Sequence, residues 1–201
     1  MDKELLFPRR TVQKITGYLN TPEIILLIGA RQVGKTSILY LLMDELRRKK
    51  VLDSHIHYFD LEDLDTLQTF NRGAKEFIAY LSARGSDTKS KNYIFVDEIQ
   101  YMDNPTNFLK IIADHYHNFK LIVSGSSTLE IRRKFKDSLA GRKIVFEVYP
   151  LDFYEYLIFK KEDALCKTLL KSDVRHVNIK TDIKNIPARL LTKEFARHFN
   201  E

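Results

Sequence analysis

Eight consecutive residues, Gly29, Ala30, Arg31, Gln32, Val33, Gly34, Lys35 and Thr36, fit GxxxxGKT without a gap, the pattern of a P-loop. The chemistry of such a segment is the cradling of phosphate. Glycines let the backbone curl until several amides point at one anion, and a helix starting near Gly34 adds its positive end. Lys35 is placed to reach the β and γ phosphates, and the Thr36 hydroxyl to ligate a magnesium ion bridging them. Ser37 completes the segment. A chance match in a glycine turn is the alternative, and the surrounding strand-like and helix-like residues argue against it.

A second cluster lies in IFVDEIQ, residues 94–100, where an apolar run turns abruptly acidic. An aspartate at a strand tip beside a phosphate loop can hold the magnesium shell, which is the role expected of Asp97. A glutamate directly after it, Glu98, can orient and deprotonate an attacking water. Strand alternation is expected to turn the two carboxylates to different sides. Without the loop upstream, a solvated acidic turn would be the better reading.

Two further features depend on these. Ser124, Gly125, Ser126 and Ser127 are expected to follow a strand, where Ser124 or Ser126 would lie between loop and acids and sense the γ phosphate. The competing reading makes them turn or cap residues. Arg142, after Gly141, enters another strand. It is either an arginine finger reaching a phosphate, in this or a neighbouring subunit, or a surface arginine.

The elements needed to position these groups are legible as alternating patterns of an α/β domain. Glu23 to Ile28 is an apolar run between Pro22 and Gly29, as in a buried parallel strand. Thr36 to Lys49 has helical spacing, with Ile38, Leu39, Leu42 and Leu46 on one side. Further strands are expected at His55 to Phe59, Tyr93 to Val96, Lys120 to Val123 and Lys143 to Val148. Helices are expected at Thr11 to Leu19, from Leu61, at Ala74 to Arg84 and at Pro105 to Tyr116, with Gly85 to Asn92 a loop. Five strands separated by helices predict a three-layer parallel sheet with ligands at the strands' carboxyl ends.

Composition limits the alternatives. The 201 residues, 44% hydrophobic and 30% charged with 7 Gly and 5 Pro, suit one folded domain plus a remainder and exclude a disordered or collagen-like chain. No apolar run approaches the ~20 residues of a membrane span. The single cysteine, Cys166, allows no internal disulfide, and a reducing, cytoplasmic location is the expectation. The net charge is +6, and the last segment, Lys160 to Glu201, holds ten basic against six acidic residues. That mildly basic tail is a solvated face or a nucleic-acid contact. His55 with His57, and His115 with His117, lack a third ligand for a metal and are expected to be structural or exposed. The aromatic stretch Phe153, Tyr154, Tyr156, Leu157 and Phe159 has helical spacing and is expected to pack against apolar surface rather than form a partner surface.

Taken together, GARQVGKTS, FVDEIQ, VSGSS, and SLAGR leading into VYPLDFYEYL resemble the ATPase domain of a prokaryotic AAA+-superfamily family. Its members combine a GxRQVGKT loop, a DEIQ motif, a GSS segment and a GR before a PLSFxEF-like stretch. The resemblance runs from Arg9 to Phe159. It implies a three-layer parallel-sheet P-loop NTPase of the AAA+/ASCE kind, with the strand ending at Ser124 between the strands bearing the P-loop and Asp97. It also implies that Gly29 to Ser37 form Walker A, that Asp97 and Glu98 form Walker B, and that Ser124 or Ser126 occupies the sensor-1 region. Arg142 would be the family's GR arginine. ATP and Mg2+ are the implied ligands. A second copy of the chain, and DNA or protein meeting the basic tail, are candidate partners. Similar proteins continue into a helical and winged region. Here the expectation is an ATPase domain at 1–160 and a partial helical segment at 161–201.

The function expected is ATP hydrolysis. The alternative is a binding switch in which ATP orders the domain to recruit a partner with little hydrolysis. No NKxD motif for guanine occurs, and a small-molecule kinase would seldom need a glutamate after the magnesium aspartate. Residues near Arg9 and Arg10 are candidates to flank an adenine.

Overall fold

The computed structural model describes residues 6–126 and 139–161. Ser127, Cys166 and nearly all of the basic tail lie outside them. Five parallel strands, β1 (Ile24–Gly29), β2 (Ile56–Asp60), β3 (Asn92–Asp97), β4 (Phe119–Ser126) and β5 (Lys143–Val148), form one sheet in the order β2-β3-β4-β1-β5. The three inner strands are buried along their whole length, which explains why their sequences are continuous rather than alternating apolar runs.

Alternate residues of β1 to β4 serve two cores, one on each side of the sheet. Leu26, Ile94 and Leu121 face Phe70 of α3 (Leu64–Asn71), Phe77 of α4 (Ala74–Ala83) and Phe108 of α5 (Pro105–His115). Leu27, Phe95 and Ile122 face Ile15 of α1 (Arg10–Thr16) and Ile38, Leu42 and Leu46 of α2 (Lys35–Arg48). The first core contains an aromatic cluster, with the Phe70 ring tilted against Phe77 at 4.5 Å and against Phe108 at 5.1 Å between centroids. Each such ring contributes about 1.5–3 kcal/mol through burial. Helices thus cover both faces, giving the three layers expected. Because α2 leaves β1 toward one face and α5 follows β3 on the other, the crevice for a ligand opens over the carboxyl end of β4.

The helix ends follow local chemistry. Asp63 accepts the Thr66 amide to start α3, three residues later than the expected beginning at Leu61. Asn104 caps α5, with Pro105 in its first turn. Gly17 closes α1 at Thr16, short of the expected Leu19. Contacts divide the chain after Pro150. The second unit contains α6 (Phe153–Phe159), which begins with a reciprocal capping box between Asp152 and Glu155.

Two strands are longer than their sequences suggest. Asn92, expected in a loop, opens β3 fully buried. Its side-chain amide donates to the carbonyls of Asp87 and Ser90, and its oxygen meets His57 Nε2 at 3.0 Å, so a turn-forming residue closes the preceding loop from within the sheet. Burial lowers the His57 pKa. β4 continues through Ser124, Gly125 and Ser126, which pair with Leu27, Ile28 and Gly29. These residues are therefore strand, not the turn following it.

At the amino end of β4, buried Lys120 donates to the Thr21 carbonyl at 2.9 Å and to that of Glu23. Burial pushes its pKa down to about 8 from 10.5, with Glu23 opposing and Lys91 reinforcing the shift. Between these values the unfolded chain binds more protons than the folded one, so this lysine's contribution to stability rises as pH rises from about 8 toward 10.5. Urea titrations of wild type and Lys120→Met are expected to show their stability difference moving in favour of wild type over that window.

Candidate functional site

The phosphate loop begins where β1 ends. A Cβ on Gly29 would stand 2.4 Å from the Val148 carbonyl and 2.9 Å from Val33 Cγ2, so only glycine permits this approach of loop to β5. Gln32 and Gly34 both adopt left-handed backbone, with φ of 63° and 90°. Left-handed residues interleaved in a turn point successive amides toward one hollow. The amides of Lys35, Thr36 and Ser37 open α2 and have no earlier turn to bond to. Ala30, Arg31 and Gln32 are exposed, while Val33 and Lys35 are buried.

Lys35 shows what the hollow is built to receive. The residue is only 4% exposed, and its ammonium lies 2.9 Å from the Ala30 carbonyl, 3.4 Å from that of Gly29 and 3.9 Å from Glu98 Oε1. A buried cation supported by loop carbonyls and one carboxylate is suited to meet a stronger anion entering between them.

Asp97 ends β3, and its carboxylate is gripped from three sides. Oδ1 accepts the Ser124 hydroxyl and the Glu98 amide, and Oδ2 accepts Tyr58 OH at 3.0 Å. Burial chiefly raises the Tyr58 pKa, with Tyr40 and Asp97 adding to it, so the phenol stays a donor. Tyr40 of α2 lies against Tyr58, with ring centroids 5.0 Å apart, bracing the contact from the loop's own helix. Among the described residues Oδ2 has one partner, which leaves it able to hold a metal-bound water, and Thr36 lies in the first turn of α2. The donor set therefore suits a hard cation such as Mg2+.

Glu98 has left the strand. Its φ of 55° and ψ of 49° produce a kink ahead of a single 3-10 turn at Ile99–Tyr101, and this kink, rather than strand alternation, separates the two carboxylates. The Glu98 amide also reaches Ser124 Oγ at 3.1 Å. Its second oxygen, Oε2, accepts from Gln100 Nε2, and Gln100 Oε1 in turn accepts the Ser126 amide at 3.1 Å. Residues from β1, β3 and β4 thus meet over one end of the sheet. Among the described residues Ser124 touches both members of the acidic pair, whereas Ser126 is linked to Glu98 through Gln100.

Three contributors were not assigned these parts on sequence. Tyr58 comes from β2 and becomes a neighbour of Asp97 only through strand order. Gln100 lies inside the quoted acidic motif, where its spacing of two from Glu98 was the available signal. Arg9, in the segment expected to flank an adenine, instead donates from its guanidinium to the Val33 carbonyl at 3.0 Å and the Tyr149 carbonyl at 2.8 Å.

Arg142 is not brought to this site within the chain. Its carbonyl accepts the Ile24 amide at the amino end of β1, about 17 Å of strand from the loop, and its Nε is 2.6 Å from Asp114 Oδ1. That pairing holds Asp114 below the usual carboxylate range. The parallel strand direction thus puts Arg142 at the end of the sheet opposite the phosphate loop of its own chain, paired with Asp114.

The profile of the family described as AAA domain matches residues 21–157. An uncharacterized protein of Haemophilus influenzae is 23% identical over 164 residues, which is 82% of this chain and 40% of that protein. The uncharacterized protein MJ1544 of Methanocaldococcus jannaschii is 32% identical over 138 residues, 69% of this chain and 29% of that protein. The chain therefore spans 40% or less of the length of these relatives. Among solved structures, C. elegans PCH-2 aligns with a TM-score of 0.49 at 18% identity, over 80% of this chain and 45% of that one. A DNA polymerase III gamma subunit-related protein of Thermotoga maritima aligns with a TM-score of 0.48 at 14% identity, over 80% and 56%. With its strand order as expected and the profile matching well over half its length, the chain belongs to the AAA domain family.

Proposed function

We propose that this P-loop domain binds magnesium ATP and hydrolyses it to ADP and phosphate. The observation that carries this reading is the meeting of the Lys35 ammonium with Glu98, one residue from Asp97, at the end of the sheet where the phosphate loop opens. The amides of residues 30–37 would bind the phosphate chain. Lys35 would exchange its loop carbonyls for β and γ oxygens and stabilise charge building on them. Thr36 and Asp97 would hold Mg2+, which supplies neutralisation of the phosphate charge. Tyr58 and Ser124 would keep the Asp97 carboxylate turned toward that position. Glu98 would orient a water and take its proton as the water attacks the γ phosphorus, with ADP leaving.

Left-handed backbone at Glu98, a conformation costing about 1–3 kcal/mol for a non-glycine residue, is the kind of strain found where a reactive side chain must be aimed. Arg142, placed away from its own loop, would act on a second copy of the chain, and a homo-oligomer would then be the productive form. DNA or protein meeting the basic segment after residue 160, and a cytoplasmic location, belong to the same proposal.

The test is steady-state phosphate release by the purified protein with ATP and Mg2+, with and without DNA, over a range of protein concentration. Turnover that rises more steeply than protein concentration supports hydrolysis completed between copies. No release under any of these conditions, with ATP binding intact, supports the binding switch instead.

A further inference from the structure

We infer that Arg9 is a positioning residue of the phosphate loop, setting its grip on the β phosphate from outside rather than touching adenine. This rests on the nucleotide reading above and adds to it a residue outside the loop. When a turn directs its amides into a hollow, carbonyls must face away, and each one buried there needs a donor. Val33, between left-handed Gln32 and Gly34 and only 7% exposed, presents such a carbonyl, and Arg9 donates to it at 3.0 Å. The other arm of the same planar fork donates to Tyr149 at 2.8 Å, the residue after the Val148 that packs against Gly29. The first residue of the loop is thus fitted against the end of β5, and its turning point is tied to the next residue by one guanidinium.

Gly34 confirms how closely Arg9 is seated: a Cβ there would stand 2.8 Å from its terminal nitrogen. Glycine at 34 therefore provides both the left-handed turn and the space the arginine fills. Arg9 is itself 7% exposed, and its two partners lie 24 and 140 residues away. Bonds from a charged donor are among the stronger ones in proteins, and the one to Val33 is buried while the one to Tyr149 is partly so. Lysine, with a single ammonium, has no fork to span both.

The test titrates ADP by calorimetry into wild type, Arg9→Ala and Arg9→Lys, at a temperature where circular dichroism shows each folded. It also compares KM with kcat for ATP. The expected result is a loss of ADP affinity of about tenfold to a hundredfold in Arg9→Ala. KM should rise in parallel with kcat nearly unchanged, and Arg9→Lys should recover little. A purely structural arginine would lower the melting temperature and leave the affinity of folded protein as it was. Wild-type ADP affinity in folded Arg9→Ala overturns the inference and leaves the nucleotide reading standing. Absence of ADP uptake by wild type overturns both. Should Arg9→Ala fail to fold, Arg9→Lys, which keeps the charge and the stem, carries the same comparison, and unchanged ADP affinity in it overturns the inference.

Discussion

Glu98→Gln is expected to lower steady-state ATP hydrolysis by about 10²- to 10⁴-fold while ATP binding is kept or strengthened. Glutamine has nearly the same shape, so the kink and the 3-10 turn after Asp97 are preserved. An amide cannot accept the proton of an attacking water at neutral pH. The effect on binding follows from Lys35: its ammonium lies 3.9 Å from Glu98 Oε1, and neutralising that carboxylate removes a competitor for the cation. Phosphate release and calorimetry on the same preparation separate the two effects. Turnover equal to wild type would remove Glu98 from the reaction, and loss of both binding and turnover would make it a structural member of the site.

Lys35→Ala is expected to abolish ATP binding at concentrations that saturate wild type, a loss of at least about a hundredfold. The magnitude rests on burial. A lysine only 4% exposed acts through little water, so its attraction for phosphate oxygens is far less screened than that of a surface lysine. Its loss also leaves the Gly29 and Ala30 carbonyls and Glu98 without their cation, so the hollow becomes less favourable for an anion. Circular dichroism should show the variant folded, because the apolar residues of β1 and α2 that make the core are untouched. Binding of ATP by Lys35→Ala with wild-type affinity would place the phosphate chain elsewhere.

How much of this was legible in sequence depended on how far apart in the chain the partners lie. Strand, loop and helix from Ile24 to Arg48 are contiguous, so the phosphate loop was evident from glycine spacing and one Lys-Thr pair. Asp97 and Glu98 were visible as an apolar run ending in acids. Ser124 to Ser126 looked like a turn because serine and glycine favour turns locally. Pairing with Leu27 to Gly29 overrides that preference, and Ile99 and Gln100 crowd the face of Gly125. The Tyr58 contact with Asp97 needs the adjacency of β2 and β3, which no local pattern encodes. The kink at Glu98 was hidden too, since glutamate rarely takes left-handed backbone. Arg142 is a different case. A residue entering a parallel strand lies at its amino end and a loop leaving one lies at its carboxyl end, so its distance from the loop followed from the strand direction already expected.

The most direct measurement is a calorimetric titration of the folded, unmodified protein with ATP, ADP and AMP in the presence of Mg2+. Main-chain amides and a buried lysine that hold the β and γ phosphates require uptake of ATP and ADP with one site per chain, and much weaker uptake of AMP. No heat from ATP or ADP, or AMP taken up as tightly as ATP, would contradict a triphosphate gripped by this loop.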